Sequence, residues 1–120
     1  MRYKIDNVKN YSKTRGWLCG QFFPDESILK NSELEVKYEI LNPGDTISPH
    51  YHPYGTAVCI VIKGKLKWQL DGKEFMLSEG DFVFSKNNVS EAILEVCEPT
   101  TLVSVRTPSV QNNKIYKHEK

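Results

Sequence analysis

No apolar run in this chain approaches the length needed to cross a membrane; the longest, Ala57–Ile62, is enough for one short strand. The opening residues Met-Arg-Tyr-Lys-Ile-Asp lack the apolar stretch of a signal peptide. Excess charge of either sign is missing too. Lys+Arg 16 against Asp+Glu 15 gives a net charge of +1, with the signs interspersed. That balance offers no electrostatic footprint for nucleic acid or for an anionic membrane. Cysteine is scarce: Cys19, Cys59 and Cys97 are an odd number at spacings that fit neither a zinc nor a thioredoxin pattern, which predicts reduced thiols in a cytoplasmic protein. No glycine-rich stretch ends in Lys-Ser/Thr, and no serine sits in the strained turn of a hydrolase nucleophile. Helix signals are poor, the best being a turn or two over Asp25–Lys30 after Pro24.

What the chain does contain is strand after strand. At 120 residues it is one domain, long enough for a single closed core. Leu34, Val36, Tyr38 and Ile40 alternate with Glu33, Glu35, Lys37 and Glu39, which predicts a half-buried strand with a wet, charged side. Ala57–Ile62 is rich in β-branched residues, and Leu66, Trp68 and Leu70 alternate after the Lys63-Gly64-Lys65 turn. Asp71-Gly72 is a hairpin signal, because glycine accepts the positive φ of a tight primed turn. Phe75–Leu77, Phe82–Phe84, Ala92–Val96 and Leu102–Arg106 complete the set. Short strands with turns at nearly regular spacing predict an all-β sandwich or barrel.

The segment Asn42-Pro-Gly-Asp-Thr-Ile-Ser-Pro-His-Tyr-His-Pro53 carries the functional signal. His50 and His52 stand two apart in extended chain, so both imidazoles project to one side. Two co-directed imidazoles suit iron, zinc, manganese, nickel or copper when a third ligand converges on them.

These residues resemble the cupins, small double-stranded β-helix or jelly-roll barrels. The family's first motif runs glycine, five residues, His-x-His, a glutamate, and a closing glycine; Gly44, His50-Tyr-His52 and Gly64 fit that spacing. The second motif begins Gly-Asp and a hydrophobic strand, as in Gly80-Asp81-Phe82-Val83-Phe84, and Gly64–Gly72 resembles the hairpin between the motifs. The resemblance spans about residues 34–108. It implies a barrel core over 34–110, preceded by N-terminal strands and a short helical turn in 1–33 and followed by a tail over 111–120.

Departures from the pattern bear on function. The glutamate position is Ala57, with Thr56 beside it; the third histidine position is Glu91, and the trailing asparagine position is Glu95. The resemblance therefore implies a metal set of His50, His52 and Glu91, or, with the metal lost, a pocket in which Glu91 pairs with a histidine or a ligand. Cys59, two residues past Ala57, shares its face and offers a thiolate in place of the missing glutamate; the inert buried thiol is the competing reading. Glu95, Tyr54 at the barrel mouth and Arg106 near a strand end are further ligand-binding candidates, Arg106 through bidentate contact with an anion, with an ordinary surface arginine as the favoured alternative. Tyr38, Tyr51, Trp68, Phe82 and Phe84 are aromatic candidates for the pocket, each with a core role as the alternative. No residue is assigned a catalytic role.

Large apolar residues before the core, Trp17, Leu18, Phe22 and Phe23, together with the Val58/Ile60/Ile62 face, predict a homodimer; the alternative is that the N-terminal residues cap a monomer's own barrel. Past Ile115 the chain is expected to fray, leaving His118 too remote to be a ligand. Three functions fit: a small-molecule-binding cupin, a metal-dependent dioxygenase or isomerase acting on a small organic acid or sugar, and a non-catalytic accessory subunit.

Overall fold

The computed structural model describes residues 2–117; His118 and the last two positions lie outside the described residues. A 3₁₀ segment, Val8–Thr14, is followed by strands β1 (Trp17–Cys19), β2 (Glu35–Leu41), β3 (Ile47–Tyr51), β4 (Thr56–Leu70), β5 (Lys73–Ser78), β6 (Phe82–Ser85), β7 (Glu91–Thr107) and β8 (Ile115–Tyr116). Every strand pairing is antiparallel. Among the described residues no helix is long and apolar enough to cross a membrane.

The long strands β4 and β7 pair along their whole length, from Thr56 opposite Thr107 to Leu70 opposite Glu91, and each serves two sheets. In the first sheet β1, β2, the end of β7, the start of β4 and β6 lie side by side. In the second, β8, β3, the start of β7, the end of β4 and β5 do the same. The register slips between Val61 and Leu66, where the chain passes from one sheet to the other. Gly64 makes that corner possible: its φ is +105°, and a Cβ there would run into Thr100 and the Pro99 carbonyl. Thr100, 1% exposed, anchors the corner by accepting the Lys65 N–H at 3.1 Å and donating to the Glu98 carbonyl at 2.8 Å.

The core lies between the sheets. Val61, Leu66, Trp68, Ile93, Val96 and Leu102 are its buried members, with Leu41, Cys59 and Val83 toward the first sheet. Asp71 and Gly72 both adopt positive φ (47° and 83°) in the β4–β5 hairpin, as a primed two-residue turn requires.

Three expectations change. The helical turn forms at Val8–Thr14, where the Asn7 side chain caps by accepting the Lys9 N–H at 3.0 Å. Asp25–Lys30 makes only isolated turns, Ser27 N to Pro24 O and Lys30 N to Ser27 O. The charged side of β2 faces inward: Glu35 is 7% exposed and lines the cavity with Lys37 and Glu39, whereas Ile40 is 59% exposed. Alternation identifies two faces but not which one meets the core. Finally, residues 111–117 are part of the barrel wall. Gln111–Lys114 and Tyr116 line the cavity, β8 pairs with β3, and the Lys117 N–H bonds the Pro49 carbonyl.

Candidate metal centre and ligand cavity

One end of the barrel holds a cavity of about 700 Å³. His50 sits on β3 directly opposite Glu91 on β7, and the two are 3.5 Å apart from Nε2 to Oε1. A bulge precedes it: Ile47 pairs with Ile93 but His50 with Glu91, so the extra residue lets both Ile47 and His50 face the cavity. His52 lies just past β3 on the same side, 3.9 Å from the same carboxylate oxygen. Ligand atoms of His50, His52 and Glu91 all lie within 4.8 Å of one another.

Both histidines are oriented by backbone carbonyls. His50 Nδ1 lies 2.8 Å from the Ser48 carbonyl, and His52 Nδ1 2.6 Å from that of Asn113. A carbonyl only accepts, so each Nδ1 carries a hydrogen, and each ring in its neutral form presents its Nε2 lone pair to Glu91. Two lone pairs and a carboxylate then converge with no donor between them. A proton on an Nε2 or a cation at the centre relieves that repulsion. Metal–ligand bonds of about 2.0–2.2 Å give ligand–ligand separations of roughly 3.0–3.6 Å; the 3.5 Å pair falls in that range and the 3.9 Å pair just outside it. The donor set and its carbonyl-fixed tautomers fit a divalent cation.

Electrostatics follow from burial. The pKa of His52 is lowered to about 4, first by burial and then by the charge of Arg106, so this ring is neutral at pH 7. Burial acts to raise the Glu91 pKa, but a hydrogen bond from the protonated His50 ring and its charge, with those of His52 and Arg106, outweigh it and hold it below the usual carboxylate value. The Cys59 thiol is pushed up to about 11 by burial and accepts a hydrogen bond from Ser104 Oγ at 3.2 Å. It lines the cavity as a neutral thiol and stands outside the His50–His52–Glu91 group, an arrangement in keeping with the inert buried thiol rather than a thiolate ligand. Burial raises the pKa of Glu35, against Ser109 Oγ, which donates to it at 3.0 Å, and the charge of Arg106.

The remaining candidates divide. Arg106 lines the cavity at 9% exposure and is not a surface residue. Glu95 is exposed on the outer side opposite Lys67, because a bulge at Leu94 (Trp68 pairs with Ile93, Lys67 with Glu95) reverses the parity set by Glu91. Tyr54 is 60% exposed and lies outside the cavity lining, although its backbone is tied to the Asn113 side chain. Of the aromatic candidates, Trp68 reaches the cavity, and its buried Nε1 has no hydrogen-bond partner among the described residues. Phe82 and Phe84 point outward, 65% and 57% exposed. Trp17 and Phe22, with ring centroids 4.5 Å apart, instead cover the cavity mouth of their own chain. Asn113 escaped sequence reasoning; nothing in Gln111-Asn-Asn113 marks it as a support for a histidine far away in sequence.

A cupin-domain family model matches residues 37–91, a little under half of the chain. The polyketide synthase CurC of Streptomyces cyaneus is 47% identical over 38 residues, 32% of this chain and 25% of that protein; the match spans a quarter of the relative's length. Among solved structures, an uncharacterised double-stranded β-helix protein from Klebsiella pneumoniae is similar over 98% of this chain and 99% of its own, with 23% identity and a TM-score of 0.69. The DMSP lyase DddQ from Ruegeria pomeroyi is similar over 84% of this chain and 50% of its own, with 15% identity and a TM-score of 0.68. The chain therefore has a double-stranded β-helix fold, and residues 37–91 within it match the cupin domain.

Proposed function

We propose that the protein binds a divalent cation through His50, His52 and Glu91 and uses the adjoining cavity to hold a small organic ligand. The observation that carries this reading is the convergence of two carbonyl-oriented Nε2 lone pairs on one carboxylate oxygen, at 3.5 and 3.9 Å. Three protein donors leave coordination positions open, and a cation there would act as a Lewis acid on a ligand oxygen. That openness supports the second reading, a metal-dependent dioxygenase or isomerase. A cavity of about 700 Å³ weighs against the filled, dry barrel of a purely structural subunit.

Elemental mass spectrometry on untagged protein purified without chelator tests the proposal. Near-stoichiometric iron, zinc, manganese, nickel or copper is expected, and it should be lost in His50→Ala/His52→Ala and in Glu91→Ala. Metal-free protein, even after incubation with excess divalent ions, would sink the reading.

A homodimer is the second part of the proposal. The outer side of the first sheet is apolar in rows: Val36, Val105, Val58 and Phe84 are register neighbours, as are Tyr38, Val103, Ile60 and Phe82. Ile40 and Ile62, 59% and 47% exposed, extend this face. The second sheet's outer side instead carries Lys67 beside Glu95 and 3.7 Å from Glu74. A second copy is the occupant that fits, since an uncharged sheet face is complementary to itself about a two-fold axis, and a face this broad can form the apolar core of an interface of about 800 Å² per partner. Three free cysteines, Cys59 among them buried, support a reducing, cytoplasmic location.

A further inference from the structure

Arg106 has no close ion pair in the cavity, although the charges of Glu35 and Glu91 act on it from farther away. It is 9% exposed and lines the cavity, yet among the described residues no carboxylate oxygen lies within ion-pair distance of it and no hydrogen bond engages its guanidinium. Buried guanidinium groups are ordinarily paired, because removing the charge from water is costly. Of the other cavity charges, Lys114 lies over the Tyr116 ring at 5.0 Å, and the remaining ones have closer polar partners. Lys37 and Glu39 are 3.1 Å apart, Glu35 accepts from Ser109 Oγ, and Glu91 faces the two histidines.

The register shows where a partner for Arg106 would stand. Arg106 is flanked on β7 by Glu35 on one side and Ala57 on the other. Ala57 also lines the cavity, and its methyl group brings no polar atom to the neighbouring guanidinium. This is the position at which the motif the chain resembles has a glutamate. The wall thus lacks an acidic group at the place that adjoins the arginine.

We propose that the ligand supplies that group: the cavity selects small carboxylic acids, with the ligand carboxylate seated over Ala57 between Arg106 and the His50–His52–Glu91 centre. The inference rests on the cation-binding reading for the second contact, while the arginine contact stands without it. A guanidinium and a carboxylate match bidentately, which a lysine or an amide cannot reproduce. Recognition of this kind discriminates an acid from its amide, whose NH₂ would face the donors of Arg106 and leave them unpaired.

Zinc-loaded and metal-free protein should be titrated with straight-chain mono- and dicarboxylic acids of two to six carbons and with the corresponding amides, by calorimetry and ligand-observed NMR. In zinc-loaded wild-type protein at least one acid should bind tenfold or more tightly than its amide. Arg106→Gln should erase that preference and Arg106→Lys should keep part of it. Ala57→Glu places a carboxylate at that position, so it should weaken acid binding at least tenfold while retaining zinc more tightly. Acids and amides that bind alike, or not at all, would overturn the inference. So would a preference that survives in folded Arg106→Gln. If Arg106→Gln does not fold, unchanged acid binding in both Arg106→Lys and Ala57→Glu overturns it. Zinc content of the same samples separates the two readings: acid preference without zinc uptake removes the cation alone, and zinc uptake without acid preference removes the carboxylate alone.

Discussion

Asn113 and His52, 61 positions apart in sequence, are joined by a 2.6 Å bond from the imidazole Nδ1–H to the Asn113 carbonyl. The same asparagine clamps the backbone of Tyr54 with its side chain, accepting from the N–H at 2.9 Å and donating to the carbonyl at 2.8 Å. The loop after the histidine pair and the closing segment of the chain are therefore one unit. Supports of this sort orient metal ligands and set their basicity.

Asn113→Ala should cost about 1–3 kcal/mol of stability, since it orphans two backbone groups of Tyr54. It should also weaken metal binding by roughly 10–100-fold while leaving every ligand in place. Chemical denaturation and a chelator competition assay measure the two effects. Metal affinity equal to wild type would show that His52 holds its orientation without the clamp.

Acid should destabilise the metal-free protein in a defined window. His52 takes its proton near 6.5 when unfolded but only near 4 when folded. Between those values the unfolded chain binds more protons, so stability is present above pH 6.5 and falls as the pH drops toward 4. Glu91, held below its usual 4.5, adds a loss at still lower pH. A melting temperature that is flat above pH 7 and declines below 6.5 is expected, and His52→Gln should remove the upper part of the decline. A melting temperature that rises between pH 7 and 5 would contradict the assignment.

Gly64→Ala should be among the most damaging single-methyl substitutions in the chain. The new Cβ would overlap Thr100 and the Pro99 carbonyl at a φ of +105°. A loss of roughly 3 kcal/mol or more is expected, from strain and the disturbed corner. Urea unfolding measures it, and a change below 1 kcal/mol would mean that the corner relaxes freely.

If the proposed dimer forms, Ile62→Lys/Phe82→Glu should convert it to monomer with little loss of fold, because both side chains point outward at 47% and 65% exposure. Burying an apolar side chain of this size contributes about 1.5–3 kcal/mol, so dimer dissociation should strengthen at least tenfold. Sedimentation equilibrium checks this. A wild-type protein that is already monomeric at high concentration would refute the interface.

Local chemistry was enough to read the stretches of extended chain, the Asp71-Gly72 turn and the shared direction of His50 and His52, since each depends on residues a few positions apart. That Ala57–Ile62 joins Leu66–Leu70 in one strand, that Ala92–Val96 joins Leu102–Arg106 in another, and that Ile115–Tyr116 pairs with β3 came only from the fold. Glu91 could be aligned with the pair through family spacing, but its meeting with His50 comes from the β3–β7 register. Tertiary structure alone decided which side of β2 faces the cavity: Glu35 is inside and Ile40 outside because the alternation is symmetric until packing breaks the tie. It also removed Glu95 from the cavity, through one extra residue at Leu94 that no composition marks. Arg106 and Asn113 acquired their roles in the same way. An arginine is a surface charge or a buried anchor according to what lies across the sheet from it, and here that neighbour is the short side chain of Ala57.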